Sequence, residues 1–311
     1  MRAMHHEVSL RASNPVVLAL VGAWLADARL VLPRPVTLVI DVAPLPEPIA
    51  DSRAVFRQGR VSIRTGAITE NTTLDWEPGL GRGVIEPGST KARVTITELA
   101  LERPNELLRS FLLNVCILLL RRIGLHHVHG AMLRDPLGRG WLLAGESGSG
   151  KSTTTALLAR SGWDMGTDDI TFLTAGQLPA TTDVIAWRER LALRADVLDA
   201  FDQHGGTALT SRGKTGWFPE EVGAKWVSRV TPAVVAFTSV SGGDRSSVSP
   251  MRGKEALSRL MQCSPWVALE ADVADEHLGL MTRLVQQARL LQLNLGRDLF
   301  ERPDLLLELV A

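Results

Sequence analysis

What this chain lacks narrows its class before any motif is read. It has no charge excess, with Lys and Arg numbering 34 and Asp and Glu also 34 in 311 residues. A protein that grips nucleic-acid phosphates needs a basic surface, so a nucleic-acid partner is not expected. Only two cysteines occur, Cys116 and Cys263. With no CxxC pair and no Cys/His cluster, neither a zinc site nor a disulfide framework is indicated. A reducing cytoplasm fits best. Long hydrophobic runs are missing as well. The longest, Phe111 to Leu120, is broken by Asn114 and falls short of the ~20 residues a membrane span needs. It reads as a buried core helix, and no membrane association is expected. The N-terminus, Met1 to His6, carries no secretory h-region of the usual form. His5 and His6 read as surface residues rather than metal ligands. No internal repeat is visible. The eight tryptophans have no basic stripe beside them and read as core rather than as a base-stacking surface.

What is present is enough for one large or two medium domains, and 45% hydrophobic content suits a well-cored chain. The first hundred residues read as strand-rich. Val36 to Val42 is a β-branched run between prolines. Ala54 to Arg64 alternates around Gly59 like a hairpin, and Lys91 to Leu99 alternates again. Glu77 to Ser89, rich in Gly and Pro, reads as loop. From Pro104 the pattern turns helical through Ile123, with Gly124 as its stop. A boundary is therefore expected there, giving a strand-rich region over 1–103 and a second domain over 104–311.

The segment Gly145-Glu146-Ser147-Gly148-Ser149-Gly150-Lys151-Ser152 fits the phosphate-loop pattern GxxxxGK[ST] at every fixed position. Its flanks agree: Trp141 to Ala144 reads as a buried strand, and the run from Thr153 to Arg160 as a helix. The glycines let the backbone turn tightly and approach a phosphate closely. Freed N–H groups and the helix N-terminus then favour an anion. Lys151 can reach the outer phosphates, and the Ser152 hydroxyl can sit on Mg²⁺, which favours oxygen ligands. Residues 145–152 with Thr153 are the expected ATP–Mg²⁺ site.

Geometry places the neighbours. His127 to Leu133 reads as a strand and Asp135 to Arg139 as a turn. A hairpin centred on Leu137 sets His129 opposite Gly145, beside the loop. Downstream, a helix from Ser152 to Arg160 leads about 13 Å away at ~1.5 Å per residue. A strand from Trp163 to Thr167 returns about 16 Å at ~3.3 Å per residue. Asp168 and Asp169 therefore come back to the phosphate end. One can hold Mg²⁺, Asp168 with Ser152 being the metal candidates. The other can orient a nucleophile or accept its proton. Adjacent strand residues point to opposite sides, so the two should not share one role.

His129-Gly130, the hairpin, the loop Gly145 to Ser152 and Asp168-Asp169 together resemble the HPr kinase family and its relatives among precursor-peptide kinases. Leu191-Ala192-Leu193-Arg194 with Val197, Val234 to Phe237, and Val248-Ser249-Pro250 also look like this family, more loosely. The resemblance implies an α/β fold shared with the PEP carboxykinases, a mixed sheet around the phosphate loop. It implies phosphorylation of a serine hydroxyl on a peptide or small protein. The carboxylate pair would supply a general base and a metal contact, and His129 would lie in the active site with Lys151. One departure stands out. The bifunctional members carry Glu-x-Arg-Gly-Leu-Gly, whereas this chain has Arg188-Glu189-Arg190-Leu191-Ala192-Leu193. That puts the reverse, phosphorolytic reaction and HPr itself in doubt.

A small-molecule alcohol kinase would use the same machinery, and a non-catalytic nucleotide-binding module is the third reading. The carboxylates speak against that third reading. Ser211 to Gly216 reads as a basic loop, either a solvated turn or a phosphate cover. Arg188, Arg190 and Arg194 either face the site or pair with nearby acids. A homo-oligomer is compatible with the sequence.

Overall fold

The computed structural model describes residues 2–5, 8–46, 55–65, 70–194, 207–209 and 214–310. They form a mixed α/β chain in two compact units. One comprises 1–126 with 268–276, the other 127–267 with 277–311.

Alternating apolar residues build the sheet of the first unit. Its strands are β1 (Arg2–His5), β2 (Val8–Ala12), β3 (Val36–Val42), β4 (Val55–Gln58), β5 (Val61–Arg64), β6 (Thr72–Trp76), β7 (Gly81–Ile85) and β8 (Lys91–Ile96). They run in the order β1-β2-β3-β8-β7-β6-β5-β4. β2, β3 and β8 are parallel neighbours and the other pairs are antiparallel. In β3, Val36, Leu38 and Ile40 are buried while Asp41 is exposed.

Two expectations are corrected in this unit. Glu77 to Ser89, expected as loop, contains β7. Its glycines are there for packing: a Cβ on Gly81 would lie 2.8 Å from Phe111 Cε1, and one on Gly83 would lie 3.1 Å from Val115 Cγ2. Both neighbours are on the helical run after Pro104, which closes through a π turn, Leu107–Leu112, into α2, Leu113–Arg121. Phe111 stacks on Trp76 at 5.5 Å between ring centres. For the same reason the boundary expected at 103/104 falls after His126, because this helical run is packed on the strands before it. Gly81→Val is accordingly expected to destabilise the chain by about 1–3 kcal/mol through overpacking. An unchanged urea midpoint would refute that.

The helix α1, Pro15–Ala28, is a feature the sequence reading missed. Asn14 caps it, its side chain accepting from the Val16 and Val17 amides at 2.8 and 3.3 Å.

The second unit grows from a strand buried on both faces. Its strands β9 (His126–Arg134) and β10 (Gly140–Ala144) form an antiparallel hairpin. Trp141 and Leu143 enter one apolar core, and Leu142 and Ala144 enter another. That is why the run is apolar without alternation. The chain continues through α3 (Lys151–Arg160), β11 (Asp164–Thr167), β12 (Ile170–Ala175), β13 (Thr182–Ala186), β14 (Leu191–Arg194), β15 (Thr207–Leu209) and β16 (Lys214–Trp217). It ends through β17 (Arg229–Val230), β18 (Pro232–Val240), β19 (Ser247–Pro250), α4 (Gly253–Gln262), α5 (Ala271–Gln287) and β20 (Arg289–Leu295).

The large sheet runs β17-β13-β12-β9-β10-β18-β20-β19, with β11 also paired to β9. The phosphate-loop strand β10 thus has one antiparallel neighbour, β9, and one parallel neighbour, β18. Residues of α3 fill one core, and residues of α4 and the later part of α5 fill the other. Strands β14, β16 and β15 form a small separate sheet. Of the loop expected over 211–216, Lys214 to Gly216 lie in β16, while 211–213 lie outside the described residues, as do His6 and Val197. Among the described residues no helix is long and apolar enough to cross a membrane.

Candidate functional site

The loop between β10 and α3 takes its shape from three glycines at positive φ: Gly145 at 153°, Gly148 at 86° and Gly150 at 93°. Two of them also lack room for a side chain. A Cβ on Gly145 would lie 2.6 Å from Ser149 Oγ, and one on Gly150 would lie 2.8 Å from Leu295 Cδ1. Ser149 is held by a 2.9 Å contact between its hydroxyl and that of Thr238 at the end of β18. Gly150 is the N-cap of α3. The first N–H groups of a helix have no partner within it, so they face the concave loop. This cradle fits a phosphate chain.

Lys151 is almost fully buried. Its Nζ donates to the carbonyls of Gly145 and Glu146 at 2.7 and 3.0 Å. Burial lowers its pKa, and the carboxylates of Asp169 and Asp168 pull it back. The charge thus sits at the Gly145 end of the loop, with the aspartates near enough to act on it.

The ladder between β9 and β10 ends at the pair Gly130–Ala144. His129 is the next residue on β9, facing the start of the loop. Its amide donates to the Cys263 carbonyl at 2.8 Å. Gly130 has to be glycine, because a Cβ would lie 2.9 Å from both Leu142 Cδ1 and the Leu143 carbonyl. The Gly130 amide in turn donates to the Asp169 carbonyl at 3.1 Å, fixing the β11–β12 turn against β9. His129 Nδ1 is paired with the Asp169 carboxylate. Asp168 and Asp169 occupy different surroundings: Asp168 is 3% exposed, whereas the Asp169 side chain is 44% exposed. The structure therefore gathers Lys151, His129, Asp168 and Asp169 around one end of the loop and separates the two carboxylates by environment.

Glu146, Ser147, Gly148 and Ser149 line a cavity of about 500 Å³, whose other walls include Thr238, Arg259 and Cys263. Ser152 and Thr153 are half-buried in the first turn of α3. No group of three His, Cys, Asp or Glu side chains among the described residues could hold a metal alone. Mg²⁺ does not ask for one, being held by one or two carboxylates, water and substrate phosphates.

Arg188 and Arg190 are engaged in ion pairs and ring stacking. They pair with Glu220 and Glu221 at 2.8 and 2.9 Å. Both guanidinium groups stack on Phe218, at 3.9 and 4.1 Å from its ring centre. Among the residues that sequence reasoning passed over, Thr238 holds Ser149 and Cys263 lies beside the loop. Cys263 lines the cavity beside Gly145 to Ser149, and burial pushes its thiol's pKa up while the nearby Gly145 backbone and Lys151 pull it back. A lone cysteine more than a hundred residues downstream offers no sequence signal of such a placement.

No protein-family model matches this chain, and no curated protein matches it. Among solved structures it is similar to the Hpr(Ser) kinase/phosphatase from Coxiella burnetii, at 17% identity and a TM-score of 0.26. That match covers 36% of this chain and 58% of the other, less than two thirds of its length. Likeness at this level carries no weight on activity.

Proposed function

We propose that this chain is a Mg²⁺-dependent ATP kinase with a PEP carboxykinase-like, HPr kinase-like core. It would transfer the γ-phosphoryl group to a serine hydroxyl of a peptide or small protein. The arrangement that carries this reading is the placement of Lys151 and the His129–Asp169 pair at the same end of the loop. Phosphoryl transfer requires mainly positioning and charge stabilisation. The loop amides and Lys151 bind and orient the triphosphate. Ser152 and Asp168 would hold Mg²⁺, which when bound neutralises charge on the phosphates. Asp169, steadied by His129, accepts the proton of the incoming hydroxyl, a poor nucleophile at neutral pH. The acceptor class follows the family resemblance. The one-way direction follows the absent glycine signature between Arg188 and Leu193.

The test is incubation with ATP, Mg²⁺ and candidate acceptors, read by mass spectrometry, alongside Lys151→Ala. A gain of one phosphoryl group on a serine peptide is expected with the wild type. Lys151→Ala should lose it together with ATP binding while remaining folded. Unchanged ATP affinity in that variant would remove the phosphate-loop assignment. Phosphorylation of small alcohols but never of peptides would reassign the acceptor.

A further inference from the structure

The loop has a polarity. A phosphate-loop lysine reaches the β- and γ-phosphates, and Lys151 Nζ lies against Gly145 and Glu146. The outer end of a bound triphosphate therefore belongs at Gly145, and the nucleoside belongs at the Gly150–Thr153 end. A second cavity, of about 260 Å³, opens at that end. Gly150 and Thr153 form its phosphate side, and Leu157, Val240, Leu295 and Phe300 give it an apolar lining. Val240 also lines the larger cavity around residues 145–149, so the two adjoin.

Hydrogen bonds between two chain segments tie the walls together. Ser246 donates its amide and hydroxyl to the Asp298 carboxylate at 2.9 and 2.6 Å. The Arg297 and Asp298 amides donate to the Gly243 and Asp244 carbonyls at 3.1 and 3.0 Å. The turn after β18 and the segment after β20 thus hold one shape. Phe300, 44% exposed, stands at the rim.

We propose that this cavity seats the base of the nucleoside triphosphate, with Phe300 as a stacking surface, and takes purine bases by shape without reading their edges. The inference rests on the phosphate-loop reading above. Among the described residues lining the cavity there is no Asp, Glu, Asn or Gln. Its one charged side chain, Arg297, is exposed to water. Strong discrimination requires buried polar groups that a wrong ligand leaves unpaired, whereas apolar pockets separate similar ligands far less.

Calorimetry on the full chain with Mg-ATP, Mg-GTP and inorganic tripolyphosphate tests this. ATP and GTP affinities are expected within about tenfold of each other. Phe300→Ala, which removes the stacking face, should weaken both nucleotides roughly tenfold and leave tripolyphosphate unchanged. Val240→Trp, which fills the cavity, should do the same. If Val240→Trp weakens tripolyphosphate as well, it has disturbed the loop, and Phe300→Ala decides alone. Unaltered ATP binding in Phe300→Ala overturns the proposal, and so does rejection of GTP by more than about a hundredfold. A wild-type chain that binds neither ATP nor tripolyphosphate would overturn the phosphate-loop reading and this proposal with it. Binding of both, with Phe300→Ala unaltered, would sink the base site alone.

Discussion

Asp169→Asn is expected to slow phosphoryl transfer at least about 100-fold while ATP affinity stays within a few-fold. The carboxamide keeps the shape of the side chain and its backbone tie to Gly130 but cannot take a proton. Exposure separates this residue from its neighbour. The Asp169 carboxylate is open to an incoming hydroxyl and paired with His129 Nδ1, whereas Asp168 is buried. Asp168→Asn should instead raise the Mg²⁺ concentration needed for half-maximal rate. His129→Gln should lower the rate less than Asp169→Asn, since it removes only the steadying partner, and should leave the unfolding midpoint in place. Single-turnover phosphate release from ATP, with water as acceptor, measures all three across a Mg²⁺ titration. If Asp168→Asn stops the chemistry and Asp169→Asn merely shifts Mg²⁺ dependence, the roles are reversed. Full turnover in both would remove the pair from the mechanism.

The parts of this site that could be read from sequence are those fixed by local geometry. A tight turn at Asp135–Arg139 sets the register of β9 against β10, so Gly130 faces Ala144 and His129 follows at the loop. A helix out and a strand back determine where Asp168 and Asp169 arrive. Contacts across long sequence distances were not legible. The Thr238 hydroxyl on Ser149, Cys263 in the wall of the loop cavity and the Phe300 rim all depend on how distant segments fold back beside β10. Composition misled in two places. Gly81 and Gly83 suggested loop, although in β7 they make room for Phe111 and Val115. In α1 the apolar residues run almost all the way round, leaving no helical stripe to detect. Its Asn14-Pro15 start was the available signal.

Acid should destabilise the second unit through His127 as pH falls below the ordinary imidazole range. This residue is buried on β9, edge-on to Phe172 and Trp266 at 5.8 and 6.3 Å. Burial pushes its pKa down to about 3, against the pull of Asp169 and with a small further push from His129. In the unfolded chain an imidazole titrates near 6.5. Between those two values the unfolded state binds the extra proton, so stability is full above pH ~6.5 and falls as pH drops towards 3. At pH 5 the loss is about 2 kcal/mol, since each pH unit inside the window costs about 1.4 kcal/mol. His127→Phe keeps an aromatic ring among the same neighbours and cannot take a proton. It should match the wild type in urea unfolding at pH 8 within about 1 kcal/mol, and exceed it by about 2 kcal/mol at pH 5 relative to that baseline. His126, also buried with its pKa pushed down to about 3, is unchanged in this variant and contributes equally to both curves. Parallel pH profiles for the two proteins would mean that His127 is not the source of the acid sensitivity.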